Sequence, residues 1–428
     1  MKRIFAWAAA ARLPGEGMQP LSNPTHHRIT QAAIERLPAP DREFLAAEAD
    51  LLIWTYCGFP DLNWHWYGTF AQDPSAPADR RLPDVRREWE IPRYCRWNSL
   101  TREGRWYPHW PPDAIEAAAA HFAAAWQSLA AGSYHDAVRT LGACLHYAQD
   151  TGSPSHAGHV DGPLHLPMER MDQREIQQAI GDLDHTPVLL GPTLESALAG
   201  IRASGTRLYA FAASTADPIR HLCEDDRQAE AQWLMLPCAH ECVRYTADIL
   251  RTFCALARHR RPPDAAPEAG INLLPNGDLS EPDDVPEAAR SWHVHWNDLF
   301  DREGRSERVA VDGGYALSIA AAAGPGIQWR TSWPAGPRVR PGMRLRLRLR
   351  YRTEGLPSGC RPALRFYTAN TTPAGIATVG FLPRAAHWTP CEVTAEVPGS
   401  ACWARVSLEA AACPGRVFYR DVSLEQVG

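Results

Sequence analysis

The sequence predicts a multidomain protein in which an all-α domain, residues 20–258, is followed by a linker at 259–270 and an all-β sandwich at 271–428. Three features predict it: Ala-rich amphipathic segments up to about residue 258, a charged and Pro-rich stretch after them, and short alternating runs between Gly/Pro turns beyond. A chain of 428 residues, 45% of them apolar, has the length and core material for two or three domains.

Residues 1–19 form a separate N-terminal segment and a candidate processed leader. Lys2-Arg3 followed by apolar Ile4–Ala11 imitates the start of a signal peptide, although Arg12 and Pro14 come early. No run approaches the roughly 20 apolar residues of a membrane-spanning helix, and the expected location is secreted or cell-envelope. Helices are expected at Thr25–Leu37, Pro112–Ala131, Tyr134–Asp150, Pro192–Ala213 and Gln228–Arg258. Asn23-Pro24 opens the first, Pro111-Pro112-Asp113 the second, and Ser133 is placed to cap the third. A Trp- and Pro-rich loop, Gly58–Pro111, lies between the first two. In the C-terminal part, Tyr315–Ile319, Leu345–Tyr351, Ala363–Tyr367, Cys391–Val397, Ala404–Leu408 and Val417–Leu424 read as strands in a sandwich of about eight. Met343–Arg352 alternates Arg with apolar residues over most of its length, as a half-buried strand with a solvated outer face does.

A net charge of −5, from 44 basic and 49 acidic residues, leaves no global footprint for a polyanion such as nucleic acid. The 11 cysteines include no CxxC pair, which argues against a thiolate zinc site or a redox dithiol. Cys238 and Cys242, four apart, read as buried thiols on one helix face, and Cys391 with Cys402 is a candidate hairpin disulfide if the chain is exported.

The chemistry concentrates in Leu145–Glu169, where 25 residues hold four histidines and three carboxylates. His146 and Asp150 stand one turn apart near the end of an amphipathic helix and project from one face. His156 follows a Gly-Ser-Pro turn, and His165 with Glu169 repeats the four-residue spacing. Imidazole nitrogens with carboxylate oxygens and no thiolate suit zinc or a similar first-row ion in a site open to water. His159 and Asp161 sit inside this stretch but off the pattern, as orienting partners or as solvated residues.

This order, HisxxxAsp, a Pro-containing turn, His, then HisxxxGlu, resembles the zinc-dependent phospholipase C family, whose fold is shared with S1/P1-type nucleases. The resemblance covers about 230 residues and implies up to three zinc ions in a helical domain. It implies His26 as a ligand at the head of the first helix, with His27 as the alternative, and Asp61 and His65 as the aspartate and histidine of a second element. One zinc would take Asp61, His65, His146 and Asp150, another His156, His165 and Glu169, and a third His26 with a share of Asp150. Asp61 is the candidate general base. The family completes its third site with a mature N-terminal residue, usually Trp, whereas this chain has no Trp between Trp7 and Trp54. HisxxxGlu leans toward phospholipid phosphodiesters as substrate, with single-stranded nucleic acid the alternative.

Asn272–Leu279 with Phe418–Glu425 resembles the opening and closing strands of carbohydrate-binding jelly-roll modules. The resemblance implies that Asn/Asp residues there pin the termini or hold a structural calcium, and it makes Trp292, Trp296, Trp329 and Trp333 candidates for stacking on a glycan. A membrane surface is the rival partner for this domain. The rival for the whole chain is a non-catalytic surface-binding protein with a structural metal.

Overall fold

The computed structural model describes residues 24–58, 60, 109–130, 132, 134–160, 162–257, 270–282, 289–294, 305–321, 327–331, 336–355, 358–369, 371–411 and 415–427. These fall into two compact units, a helical one up to residue 257 and a β one from residue 270. Asp61, His65, Ser133, Asp161, Trp296 and Trp333 lie outside the described residues.

The helical unit contains α1 (Pro24–Glu35), α2 (Ala39–Leu45), α3 (Ala49–Trp54), α4 (Asp113–Ala130), α5 (Tyr134–Asp150), α6 (Pro154–Ala157), α7 (Arg174–Gly181), α8 (Leu194–Glu224) and α9 (Gln228–Ala257). In α1, Ile29, Ala32, Ala33 and Ile34 recur at helical spacing and are buried. Its end is closed by Arg36, whose guanidinium donates to the carbonyls of Ala32 and Gly181 at 2.7 and 2.6 Å. α8 opens on a capping box, Thr193 Oγ1 accepting from Ser196 N and Ser196 Oγ from Thr193 N. α8 outruns the expected end at Ala213 by 11 residues. Ala216 and Ile219, four and seven residues after Ala212, continue its buried stripe despite Pro218. The turn Asp225–Arg227 then sends α9 back antiparallel, with Tyr245 Oη donating to Ile201 O at 2.8 Å. Among the described residues no helix is long and apolar enough to cross a membrane.

The β unit is an antiparallel sandwich of two five-stranded sheets. Its strands are β1 (Trp292–Val294), β2 (Arg305–Val311), β3 (Gly314–Ala321), β4 (Ile327–Thr331), β5 (Arg344–Gly355), β6 (Ser358–Tyr367), β7 (Pro373–Thr378), β8 (Thr389–Glu396), β9 (Trp403–Ala411) and β10 (Gly415–Gln426). One sheet runs β1-β4-β9-β6-β7, the other β2-β3-β10-β5-β8. Every expected strand run lies on a strand, and β1, β2, β4 and β7 raise the number above the expected eight. β5 buries Leu345, Leu347, Leu349 and Tyr351, each leucine contributing about 1.5–3 kcal/mol, and turns its arginines outward. Those arginines are met by carboxylates: Arg348 by Glu392 and Glu425 at 3.1 and 3.0 Å, Arg346 by Glu425 at 3.3 Å, and Arg350 by Asp421 at 3.9 Å. A face so neutralised is a solvated surface rather than a polyanion site.

The opening and closing segments are pinned together by Asn272, whose Oδ1 accepts from Leu274 N and Leu424 N and whose Nδ2 donates to Val422 O. The three potential metal groups among the described residues all lie in the helical unit, so the calcium expectation finds no cluster here. Two glycan candidates are corrected: Trp292 and Trp329 are 0% and 1% exposed in the sandwich core, where neither can stack on a sugar. Cys391 and Cys402 are not joined by a disulfide. They belong to strands of opposite sheets, β8 and the entry to β9, so the hairpin that would bring them together does not exist.

Candidate metal centre

Four separate segments bring seven side chains together. α1 supplies His26 from its first turn, and the residues before α4 supply His109. The last turn of α5 carries His146 and Asp150, and Pro154 starts α6 so that His156 turns back toward them. The segment after α6 contributes His165 and Glu169, which are one turn apart without a formal helix; the bond from Met168 N to Leu164 O keeps that stretch turn-like. The groups form three linked triads, His26–His146–Asp150, His109–Asp150–His156 and His156–His165–Glu169, which share Asp150 and His156.

The spacing is that of atoms around common ions. His26 Nε2 stands 3.4 Å from both Asp150 Oδ1 and Glu169 Oε1, and His156 Nε2 stands 3.7 and 3.5 Å from the same two oxygens. His165 Nε2 lies 3.6 Å from Glu169 Oε2. Zinc–ligand bonds of about 2.0–2.1 Å in a tetrahedron put ligand atoms about 3.3–3.4 Å apart. The other Asp150 oxygen, Oδ2, is closer to its neighbours, 2.5 Å from His109 Nδ1 and 3.1 Å from His146 Nε2. His26 Nε2 and Asp150 Oδ1 are buried without a hydrogen bond, although each is aimed at the centre. Buried polar atoms are nearly always satisfied, and a divalent cation would satisfy both.

The outward nitrogens are engaged as a ligating imidazole requires. Nδ1 of His146 lies 2.7 Å from Cys57 O, that of His165 2.9 Å from Val160 O, and that of His26 2.8 Å from Gln149 Oε1. A carbonyl oxygen can only accept, so Nδ1 carries a proton and Nε2 is the nitrogen turned inward, available to an ion. Burial alone would raise the Asp150 carboxyl pKa, but His146, His156 and His109 outweigh it and hold the group well below the usual carboxylate range. Burial acts on Glu169 in the same sense and is overcome by His156 and His26. His146 and Asp150 are fully buried, whereas the His165 side chain is 28% exposed, so the centre opens on the His165 side.

Of the expected ligands, His26, His146, Asp150, His156, His165 and Glu169 meet here, and Asp61 and His65 fall outside the described residues. His27 turns away, edge-on to Trp54 at 5.1 Å, which leaves His26 as the histidine of α1 in the centre. His159 is exposed and stacks on Trp110 at 5.6 Å rather than orienting a ligand. His109 was not anticipated. Its one sequence signal is its position just ahead of the Pro111-Pro112-Asp113 helix start.

No family model matches the chain, and no curated protein does. Solved structures match over the β unit. A CBM22-1 xylan-binding domain from Paenibacillus barcinonensis is 10% identical, with 38% of this chain and 98% of that one covered at a TM-score of 0.30. A CBM4 structure is 15% identical over 36% and 99% at 0.28. The enzymatically active domain of the bacteriophage CBA120 tailspike protein 4 is 11% identical at 0.29, over 37% of this chain. The chain spans only 22% of that tailspike domain.

Proposed function

We propose that the helical unit is a metal-dependent phosphate-ester hydrolase acting on phosphodiesters of the phospholipid type. The observation that carries this reading is the set of three His/carboxylate triads joined through Asp150 and His156. Two adjacent ions are what phosphodiester hydrolysis uses, and a lone structural ion needs only one such group. Divalent ions held by these residues, zinc by the nature of the ligands, would supply Lewis acidity and positive charge for hydrolysis of a phosphate ester. The chain's own part is to hold the Asp150 and Glu169 carboxylates ionised and the imidazoles oriented, and to leave the His165–Glu169 edge open for the substrate. Asp61, the candidate general base, lies outside the described residues.

The full chain should be purified with its metal content measured, then assayed on a chromogenic phosphodiester before chelation, after it, and after zinc is restored. Phosphatidylcholine and single-stranded nucleic acid in the same zinc buffer separate the two substrate classes. Activity lost on chelation and restored by zinc supports the reading; a metal-loaded, inert protein leaves only a structural ion.

Metal uptake should weaken as pH falls. Burial disfavours the His156 imidazolium, yet Asp150 and Glu169 outweigh it and raise the His156 pKa in the metal-free protein. A proton thus competes with the ion for Nε2, and affinity should drop by roughly tenfold per pH unit for each proton displaced. The metal-free protein should show opposing linkages. His156, with its raised pKa, contributes stability below its unfolded pKa and loses it as pH rises through the folded one. Asp150 and Glu169, with lowered pKa values, contribute stability above their unfolded pKa values and lose it as pH falls through the folded ones. Zinc titrations across about pH 5–9 and thermal melts extended down to about pH 2 check the signs; metal uptake that does not change with pH would contradict imidazole ligation.

A second reading concerns the β unit, where we infer glycan binding at the β7 edge. Ile376 and Phe381 are 51% and 48% exposed there, and the Arg361 guanidinium lies 5.6 Å from the Phe381 ring centroid. Beside them Glu409 holds Arg361 and Arg365, each at 2.7 Å. An aromatic face next to fixed hydrogen-bonding groups suits a sugar ring. A glycan array run beside a liposome pull-down on the full chain tests it, and retention on vesicles alone would favour a membrane surface.

A further inference from the structure

Helix α5 carries more into the centre than two ligands. Gln149, adjacent to Asp150, is 2% exposed, and its amide spans one turn of α1. Its Oε1 lies 2.8 Å from His26 Nδ1, and its Nε2 donates to Thr30 Oγ1 at 2.9 Å. Thr30 is itself fully buried and stands four residues after His26, on the same face of α1. The amide thus stands with its oxygen toward the imidazole and its nitrogen toward the hydroxyl. An oxygen facing Nδ1 can only accept, so a proton is held on Nδ1, and Nε2, 3.4 Å from Asp150 and from Glu169, is the nitrogen left to an ion. The reversed amide would put a donor against Nδ1 and drive the proton to Nε2, where it would occupy the ligand position.

We propose that Gln149 is a positioning residue which, on the hydrolase reading above, makes His26 an ion ligand by fixing its tautomer and ring plane, with Thr30 anchoring the amide. The ring plane has a second support, since His26 stacks on His146 at 4.4 Å. On the Nδ1 side the proton is held by the bond to Gln149. Partners of this kind are worth about 10–100-fold in metal affinity.

The test uses the full chain in four forms: wild type, Gln149→Leu, Gln149→Glu and Thr30→Val. Nitrogen-15 NMR of selectively labelled histidines reports the His26 tautomer in the metal-free protein, with the signal identified through His26→Gln. The wild type should show the Nδ1–H tautomer and Q149L a shift toward Nε2–H. In chelator competition Q149L should release one ion at about 10–100-fold lower chelator concentration than wild type while the remaining ions stay. Q149E, whose carboxylate also accepts from Nδ1, should restore the wild-type tautomer and release profile. Should Q149L fail to fold, T30V carries the measurement, with a smaller shift in the same direction. A folded Q149L with wild-type tautomer and release profile removes the positioning role and leaves the hydrolase reading intact. A wild type that takes up no zinc removes that reading, and the ligand role of His26 with it.

Discussion

Replacing Asp150 with asparagine is expected to strip the centre of the ions shared with His26, His146 and His109, and to abolish phosphodiester hydrolysis. Asp150 belongs to two of the three triads, one carboxylate oxygen facing His26 and His156, the other His109 and His146. Asparagine keeps the shape but offers one neutral oxygen and puts an NH2 donor where the second anionic oxygen stood. Removing one partner of a buried charged network costs about 3–5 kcal/mol, which corresponds to roughly two to four orders of magnitude in ion affinity. The triad His156–His165–Glu169 does not include Asp150, so metal content should fall without reaching zero. Metal analysis and hydrolysis assays on D150N check both halves. Full metal retention with wild-type turnover would sink the assignment of this cluster as a catalytic centre.

Gly142→Ala should damage both the stability of the helical unit and its metal centre. Gly142 lies one turn before His146 on α5, and a Cβ there would meet Tyr56 Cβ at 2.3 Å and the Tyr56 backbone carbon at 2.6 Å. Backbone cannot rotate aside as a long side chain can, so the Tyr56–Gly58 turn must move. That turn carries the Cys57 carbonyl, which takes the Nδ1 proton of His146 at 2.7 Å. Overpacking of this kind costs about 1–3 kcal/mol. At a few degrees per kcal/mol for a domain of this size, the melting temperature should drop by roughly 2–12 °C. A distinct second effect is expected on the ion held by His146, whose affinity should weaken by about 10–100-fold once the orienting carbonyl moves. Thermal melts and chelator competition separate the two, and a variant that melts and binds zinc as the wild type does would show that the turn can shift freely.

Much of the centre was readable because its ligands come in local pairs. His146 with Asp150 and His165 with Glu169 are each four residues apart, and in a helix or a helical turn that spacing alone puts two side chains on one side. His156 was readable from the Gly-Ser-Pro turn that reverses the chain beside them. His109 was not, because it lies 37 residues from His146 and meets it only after α4 packs along α5. Choosing between His26 and His27 also needed the fold, since neighbours on a helix point about 100° apart and only the seating of α1 decides which faces inward. Trp292 and Trp329 failed as glycan contacts for a related reason. A strand's alternation shows that two faces exist, but which one becomes core depends on register against the opposite sheet.

Sequence alone determined the two-part organisation, the positions of the long helices and most strands, and a concentration of imidazole and carboxylate groups that packing does not require. These are properties of local periodicity and composition. Tertiary structure decided that His26, His109, the α5 pair and the His156–Glu169 segment share one small volume, and that Gln149 and the Cys57 carbonyl aim two of the imidazoles. Convergence of distant segments depends on how helices dock, and docking is set by the whole buried surface rather than by any short stretch of chain.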